Sequence, residues 1–288
     1  MAKNLTAMSV LRTEQLTPHM VRVWLGGDGF DDFVPAGPGA QDGRPDTDMY
    51  VKLVFPPAGS GVVYPEPVDL DAIAAQYPPD EQPVLRTYTV RHYDPAAREI
   101  AIDFVVHGDE GIAGPWAARV QPGERISFRG PGSGYRPDPE APWHLLASDE
   151  AGLPALAAAL EAMPEDAVVK AFIEVGGPDD EIELTAPADA EITWVHRGAS
   201  SAEAGEDRAG DHAPVIEAVR QAPWLDGEPQ VFIHGEAQTV MKNLRRYVRR
   251  DRGVGAQRAA SISGYWRRGR SEEGFRQWKA EQRKNNAG

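Results

Sequence analysis

Arg86-Thr87-Tyr88-Thr89-Val90-Arg91 is the densest run of chemically useful side chains in the sequence. In an extended strand alternate residues share a face, so Arg86 and Tyr88 project together. A guanidinium there can hold a phosphate while the phenol ring lies beside a flat heterocycle, a geometry suited to a flavin. The same pair serves equally as a half-buried strand aromatic with an arginine neighbour. Further on come Asp103-Phe104-Val105-Val106-His107-Gly108 and then Gly111, Gly114, Pro115, Trp116 and Ala117, where a short helix can begin. Glycine-loosened backbone and helix starts present N–H groups to a pyrophosphate. An ordinary glycine-rich connection has the same composition.

These residues need strands to position them, and the first half supplies strand patterns. Val21, Val23 and Leu25 alternate with Arg22 and Trp24; Met49, Val51, Leu53 and Phe55 alternate with Tyr50 and Lys52; Ile100, Ile102, Phe104 and Val106 repeat the period of two. With residues 86–92 and 125–128, and with Pro/Gly-rich connections at 35–43 and 56–61, they predict a small antiparallel barrel. After about residue 135 the texture changes. Apolar runs at 143–147, 168–175, 192–195 and 231–233 alternate with helical stretches, which is the grammar of a parallel sheet in an α/β domain. Pro154 stands where a first helical residue would, and Val240, Leu244, Tyr247 and Val248 share a helical face. Residues 198–211, small and acidic, read as an exposed loop. The expected division is residues 1–138 and 139–288, with a cleft between.

Composition narrows the chemistry. With no cysteine among 288 residues there is no thiolate nucleophile, disulfide or cysteine-held cluster, so redox work requires an organic cofactor. No metal site is expected. No stretch of 18 apolar residues and no basic-apolar leader occurs, which predicts a cytoplasmic protein without stable membrane insertion. The net charge of −14 is uneven: residues 242–284 hold 14 Lys and Arg against 4 Asp and Glu, leaving 16 basic and 40 acidic elsewhere. That basic run is either a solvated helix face or a wall toward an anionic ligand; with no nucleic-acid motif and an acidic body, nucleic acid is not an expected partner.

Four segments in order carry a family resemblance: Arg86-x-Tyr88-Thr89-x-Arg91; His107-Gly108 with Trp116-Ala117; Asp149-Glu150-Ala151-Gly152-Leu153-Pro154; and Ser263-Gly264-Tyr265-Trp266-Arg267-Arg268-Gly269. Together they resemble the siderophore-interacting proteins, FAD-containing ferric-siderophore reductases related to the ferredoxin–NADP reductases. The stretch from Ser271 onward resembles a longer subgroup with an extra C-terminal helix. The resemblance implies a FAD-binding β-barrel followed by a nicotinamide-binding α/β domain. It implies that Arg86, Thr87, Tyr88 and Thr89 contact a non-covalent FAD, with Tyr88 and Thr89 at its reactive part. Asp103, Val105, His107 and Gly108 would line it, Gly111, Trp116 and Ala117 would follow its pyrophosphate and adenine side, and Tyr265 and Trp266 would approach from the second domain. Asp149 and Glu150 stand where other reductases of this kind carry a glycine-rich nicotinamide turn; two carboxylates there repel a pyrophosphate unless they bond hydroxyls instead.

Iron(III) in a siderophore is held by hard oxygen donors, and reduction to iron(II) loosens that grip. A hydride donor gives two electrons and iron accepts one, so a flavin is a suitable intermediary. The expected activity is therefore ferric-siderophore reduction with NADH or NADPH, or reduced ferredoxin, as donor, by a monomer. Lys52, Arg129 and Arg267 are the nominated basic residues for the siderophore, Lys52 because it interrupts an apolar strand; each also serves as a surface ion-pair partner worth about 0 to 1 kcal/mol. A general flavin reductase or electron-transfer partner, and a flavin-bearing siderophore carrier without turnover, stand as alternatives.

Overall fold

Strand alternation in the first half produces seven strands: β1 (Thr6–Thr17), β2 (Met20–Gly26), β3 (Tyr50–Phe55), β4 (Val84–Thr89), β5 (His92–Asp94), β6 (Glu99–Val105) and β7 (Arg125–Gly132). In this computed structural model, which describes residues 5–109, 111–270 and Gly274, they form one antiparallel sheet of order β4-β3-β7-β1-β2-β6-β5. Alternate residues turn inward, so Val23, Leu25, Val51, Leu53, Ile100, Ile102, Phe104 and Phe128 are fully buried in one core. The sheet curls toward a barrel: Tyr88 on β4 and Phe104 on β6, strands with no shared ladder, bring their rings to 4.4 Å between centroids. Two short helices, α1 (Leu70–Gln76) and α2 (Ala113–Ala117), interrupt the strands.

The segment 86–92 is not one strand. Val90 N–H still bonds Met49 on the β3 side at 2.7 Å, but Arg91 N–H bonds Ala101 on β6 at 2.7 Å, so the chain changes partner there and β4 gives way to β5. Nor does the short helix begin at Pro115, which lies within α2.

The second half holds β8 (His144–Ser148), α3 (Leu153–Glu161), β9 (Val169–Val175), β10 (Glu191–His196), α4 (Pro214–Gln221), β11 (Gln230–Glu236) and β12 (Ser261–Trp266). All its strands are parallel, in the order β10-β9-β8-β11-β12. The chain runs outward from β8 to β10 and then crosses back to β11, so its direction of travel reverses between β8 and β11. Between β11 and β12 the chain winds through wide π-type turns, Gln238–Leu244 and Tyr247–Asp251, that bury Val240, Leu244, Tyr247 and Val248. The loop 198–211 is less exposed than its composition predicts. Arg268 donates to the carbonyls of Ser201 and Ala204, and Ser200 and Ala204 are buried. The two compact units are Met1–Arg136 and Pro137–Gly288. The helical extension expected from Ser271 onward lies outside the described residues apart from Gly274.

Candidate functional site

β4 is an edge strand, and its register on β3 sets which residues face which way. Arg86 lies opposite Leu53 and Tyr88 opposite Val51, so this half-buried pair shares a face with fully buried core residues. Tyr88 packs on Phe104, Phe104 on Trp116 at 5.5 Å, and Trp116 meets Phe55 edge-on at 5.5 Å. Tyr88 and Trp116, far apart in sequence, therefore belong to one aromatic layer, with Ala117 buried behind it. Alternation puts Thr87 and Thr89 on the other face of β4, Thr87 exposed and Thr89 buried.

The turn after β6 shows whether a flavin suits this layer. His107 Nδ1 is buried and has no hydrogen-bond partner among the described residues. Gly108 and Gly111 have φ of 62° and 82°, and a Cβ at either would meet nothing within 4 Å. Gly114 is different: its Cβ would come 3.0 Å from the Val105 carbonyl oxygen, so the glycine lets α2 lie against the end of β6. A buried nitrogen lacking a partner, beside open left-handed glycine backbone and an aromatic layer, is satisfied by a flat polar ligand. These residues fit a flavin. α2 spans only five residues, so the open glycine turn matters more than its helix dipole.

Asp103 is placed otherwise. Its carboxylate accepts both Nε and Nη2 of Arg22, its register partner on β2, at 2.6 and 2.9 Å, and is fully covered. Lys52 and Arg129 do come together. Lys52 lies opposite Thr87 on one side and Arg129 on the other, so all three share the face turned away from Arg86 and Tyr88. Neither cation makes a hydrogen bond or ion pair with any described residue, and Arg129 Nε is buried without a partner. Like charges set side by side are unfavourable, and no carboxylate among the described residues pairs with either.

The remaining candidates belong to the second unit. Asp149 Oδ1 accepts the N–H groups of Ala151 and Gly152 at 2.9 and 3.2 Å; Oδ2 accepts Glu236 N–H at 2.8 Å and the Trp266 indole N–H at 2.7 Å. Glu150 is held by Arg197, which also donates to Glu174 at 3.0 Å. Burial, then the Glu150 charge, pushes the Asp149 acid up to about 7, with Trp266 and Arg197 opposing. Burial likewise raises Glu174. It works against the Arg197 charge too, but Glu150 and Glu174 outweigh it and keep the guanidinium protonated. Asp149, Glu174, Arg197 and Trp266 line a narrow crevice at the ends of β8, β9 and β11. Tyr265 Oη contacts His234 Nδ1 at 2.6 Å, and His234 Nε2 reaches Ser261 Oγ at 3.0 Å. Arg267 donates to Gln238 Oε1 at 3.3 Å.

Arg22, Glu174 and Arg197 are absent from the sequence-based candidates. Glu174 had a usable signal, since it and Lys170 are the two charges that interrupt the apolar run 168–175, an interruption of the kind that singled out Lys52.

Comparison with known proteins follows this division. A model described as "Siderophore-interacting FAD-binding domain" matches residues 9–135, and one described as "Siderophore-interacting protein" matches 141–269. The uncharacterized protein Rv2895c of Mycobacterium tuberculosis is 58% identical over 285 residues, spanning 99% of this chain and 98% of its own. Ferric vibriobactin reductase ViuB of Vibrio cholerae is 31% identical over 274 residues, spanning 93% and 91%. The crystal structure of a siderophore utilization protein from T. fusca superposes with a TM-score of 0.75 at 35% identity, covering 94% of this chain and 96% of that one. With relatives aligned along nearly its full length and both models matched in order, the chain belongs to the siderophore-interacting protein family, and its first unit carries that family's FAD-binding domain.

Proposed function

We propose that the chain is a ferric-siderophore reductase in which electrons from NADH, NADPH or reduced ferredoxin reach chelated iron(III) by way of non-covalent FAD, releasing iron(II). Residues 1–138 form the flavin-binding domain and 139–288 the donor-side domain. Bound FAD supplies the conversion of a two-electron donation into single-electron deliveries to the metal. Tyr88 lays its ring along the flavin and Arg86 meets its phosphate; His107 Nδ1 gains its missing partner there, and Gly108 and Gly111 leave the backbone open to the pyrophosphate. Thr89 lies toward the reactive edge. Lys52 and Arg129 attract the anionic oxygen-donor shell of the ferric siderophore, and Arg267 is a further basic residue nominated for it. The site of action is the cytoplasm and the chain works as a monomer; among the described residues no helix is long and apolar enough to cross a membrane.

The observation that carries this reading is the Lys52–Arg129 pair, two cations side by side on the adjacent strands β3 and β7 with no ion-pair partner among the described residues. Lys52→Ala should raise the KM for a ferric siderophore by about tenfold, the size of one charge-assisted contact, and leave FAD content unchanged. The wild-type KM should also rise with salt. Anaerobic reduction assays on FAD-loaded protein read both effects, and KM values indifferent to the substitution and to ionic strength would overturn the assignment.

A further inference from the structure

We infer that Asp149, Glu174 and Glu236 make the second unit reject the pyrophosphate of a dinucleotide, so that the electron donor is held without a phosphate contact at the strand ends. The inference rests on the reading above, which requires a donor. In a parallel sheet the natural ligand crevice lies beyond the C-terminal strand ends where the chain's direction of travel reverses, here between β8 and β11. Its attraction for phosphate comes from N–H groups left over at helix starts. In this chain those groups are already taken by carboxylates of its own.

Asp149 occupies Ala151 and Gly152 N–H at the head of α3. Glu236 Oε2 accepts Gln238 N–H at 2.7 Å, Thr239 N–H at 2.9 Å and the Thr239 hydroxyl at 3.3 Å, which closes the start of the helical segment after β11. Glu174 reaches from β9 to accept Val215 N–H at 3.0 Å at the head of α4. Space is closed as well as valence. Gly235 has a φ of 153°, and a Cβ there would lie 2.8 Å from Asp149 Cγ, so the carboxylate sits flush against the turn a phosphate oxygen would approach. Arg197 does not reverse the sign, because it is committed to Glu150 and Glu174. A pyrophosphate would have to displace an anion from its own backbone donors and then lie beside it. A donor presenting only its nicotinamide end, or a protein donor, meets no such obstacle.

The full-length FAD-loaded protein tests this in two ways. Anaerobic flavin reduction is followed with NADH and with reduced nicotinamide mononucleotide, which lacks the pyrophosphate and the adenosine. ADP-ribose is titrated calorimetrically as a readout independent of turnover. Half-saturation by the two donors should agree within about threefold, and ADP-ribose should give no binding heat. Glu236→Ala, which frees two N–H groups and removes a charge, should gain ADP-ribose binding and lower the NADH half-saturation by about tenfold, with the mononucleotide unchanged. Glu236→Gln, which keeps an acceptor, should gain less. Wild-type binding of ADP-ribose, or a preference for NADH of roughly thirtyfold or more, would overturn the inference. If neither nicotinamide reduces the flavin, the titration decides alone, and it also decides if the alanine variant fails to fold. Failure of the reductase reading looks different: dithionite-reduced protein would not pass electrons to a ferric siderophore, whatever ADP-ribose does.

Discussion

Asp149 shows how much one side chain is asked to do, since its two oxygens gather four N–H donors from three separate stretches of chain while burial resists its charge. Its acid is raised from the ordinary carboxylate range to about 7. A carboxyl whose folded value lies above its unfolded one favours the fold most below about pH 4 and loses that contribution as pH climbs to about 7. Glu174 acts in the same direction. Thermal melts from pH 4 to 8 should show the wild type losing stability as pH rises. Asp149→Asn, although less stable because its amide NH2 faces two N–H donors where the carboxylate oxygen accepted both, should show a shallower slope; an unchanged slope would remove Asp149 from this role. At this scale a charge that interrupts an apolar strand, as at Lys52, is visible in the sequence itself. The sequence was illegible where partners are distant, as with Arg22 beneath Asp103 and Arg197 beneath Glu150, separated by 81 and 47 residues.

Elements whose burial alternates cleanly were legible, and those serving two environments were not. β2 follows its period-two pattern and β3 does so as far as Leu53, whereas β1 was missed because only its first half alternates; Leu11 to Gln15 are exposed, and the strand is bulged against β2. The loop 198–211 looked solvated by composition and is held down by Arg268, which lies 64 residues beyond Ala204. The turn from β8 into α3 depends on closeness: a Cβ on Gly152 would lie 2.6 Å from the His234 carbonyl oxygen and 2.9 Å from Ser148 Cβ. Both contacts are to unyielding parts of neighbouring strands. Gly152→Ala should therefore destabilise the protein by about 1–3 kcal/mol, read as a lower midpoint in urea with FAD occupancy of the first unit retained. A neutral effect would mean that the turn relaxes at no cost.

Over the whole molecule, the texture of the sequence changes near residue 135, and the two compact units are Met1–Arg136 and Pro137–Gly288. The basic run was harder to interpret. Lys242, Arg245, Arg246 and Arg250 do face solvent, but Arg267 and Arg268 fold back onto Gln238 and onto the loop carbonyls of Ser201 and Ala204. Composition registers the number of charges and says nothing of which ones the backbone claims.

The bond from Trp266 to Asp149 joins groups 117 residues apart, and it has a consequence for how the protein is made. On the ribosome the first unit is continuous and can close as soon as residue 136 has emerged. The second begins with its central strand and must wait for its last one before Asp149 gains its final donor, a long-range closure of the kind that slows folding. A nascent chain stopped before Ser261 should resist protease up to about the end of the first unit and be digested beyond it. Protection extending past β8 in such a chain would show that the parallel sheet matures without its outermost strand.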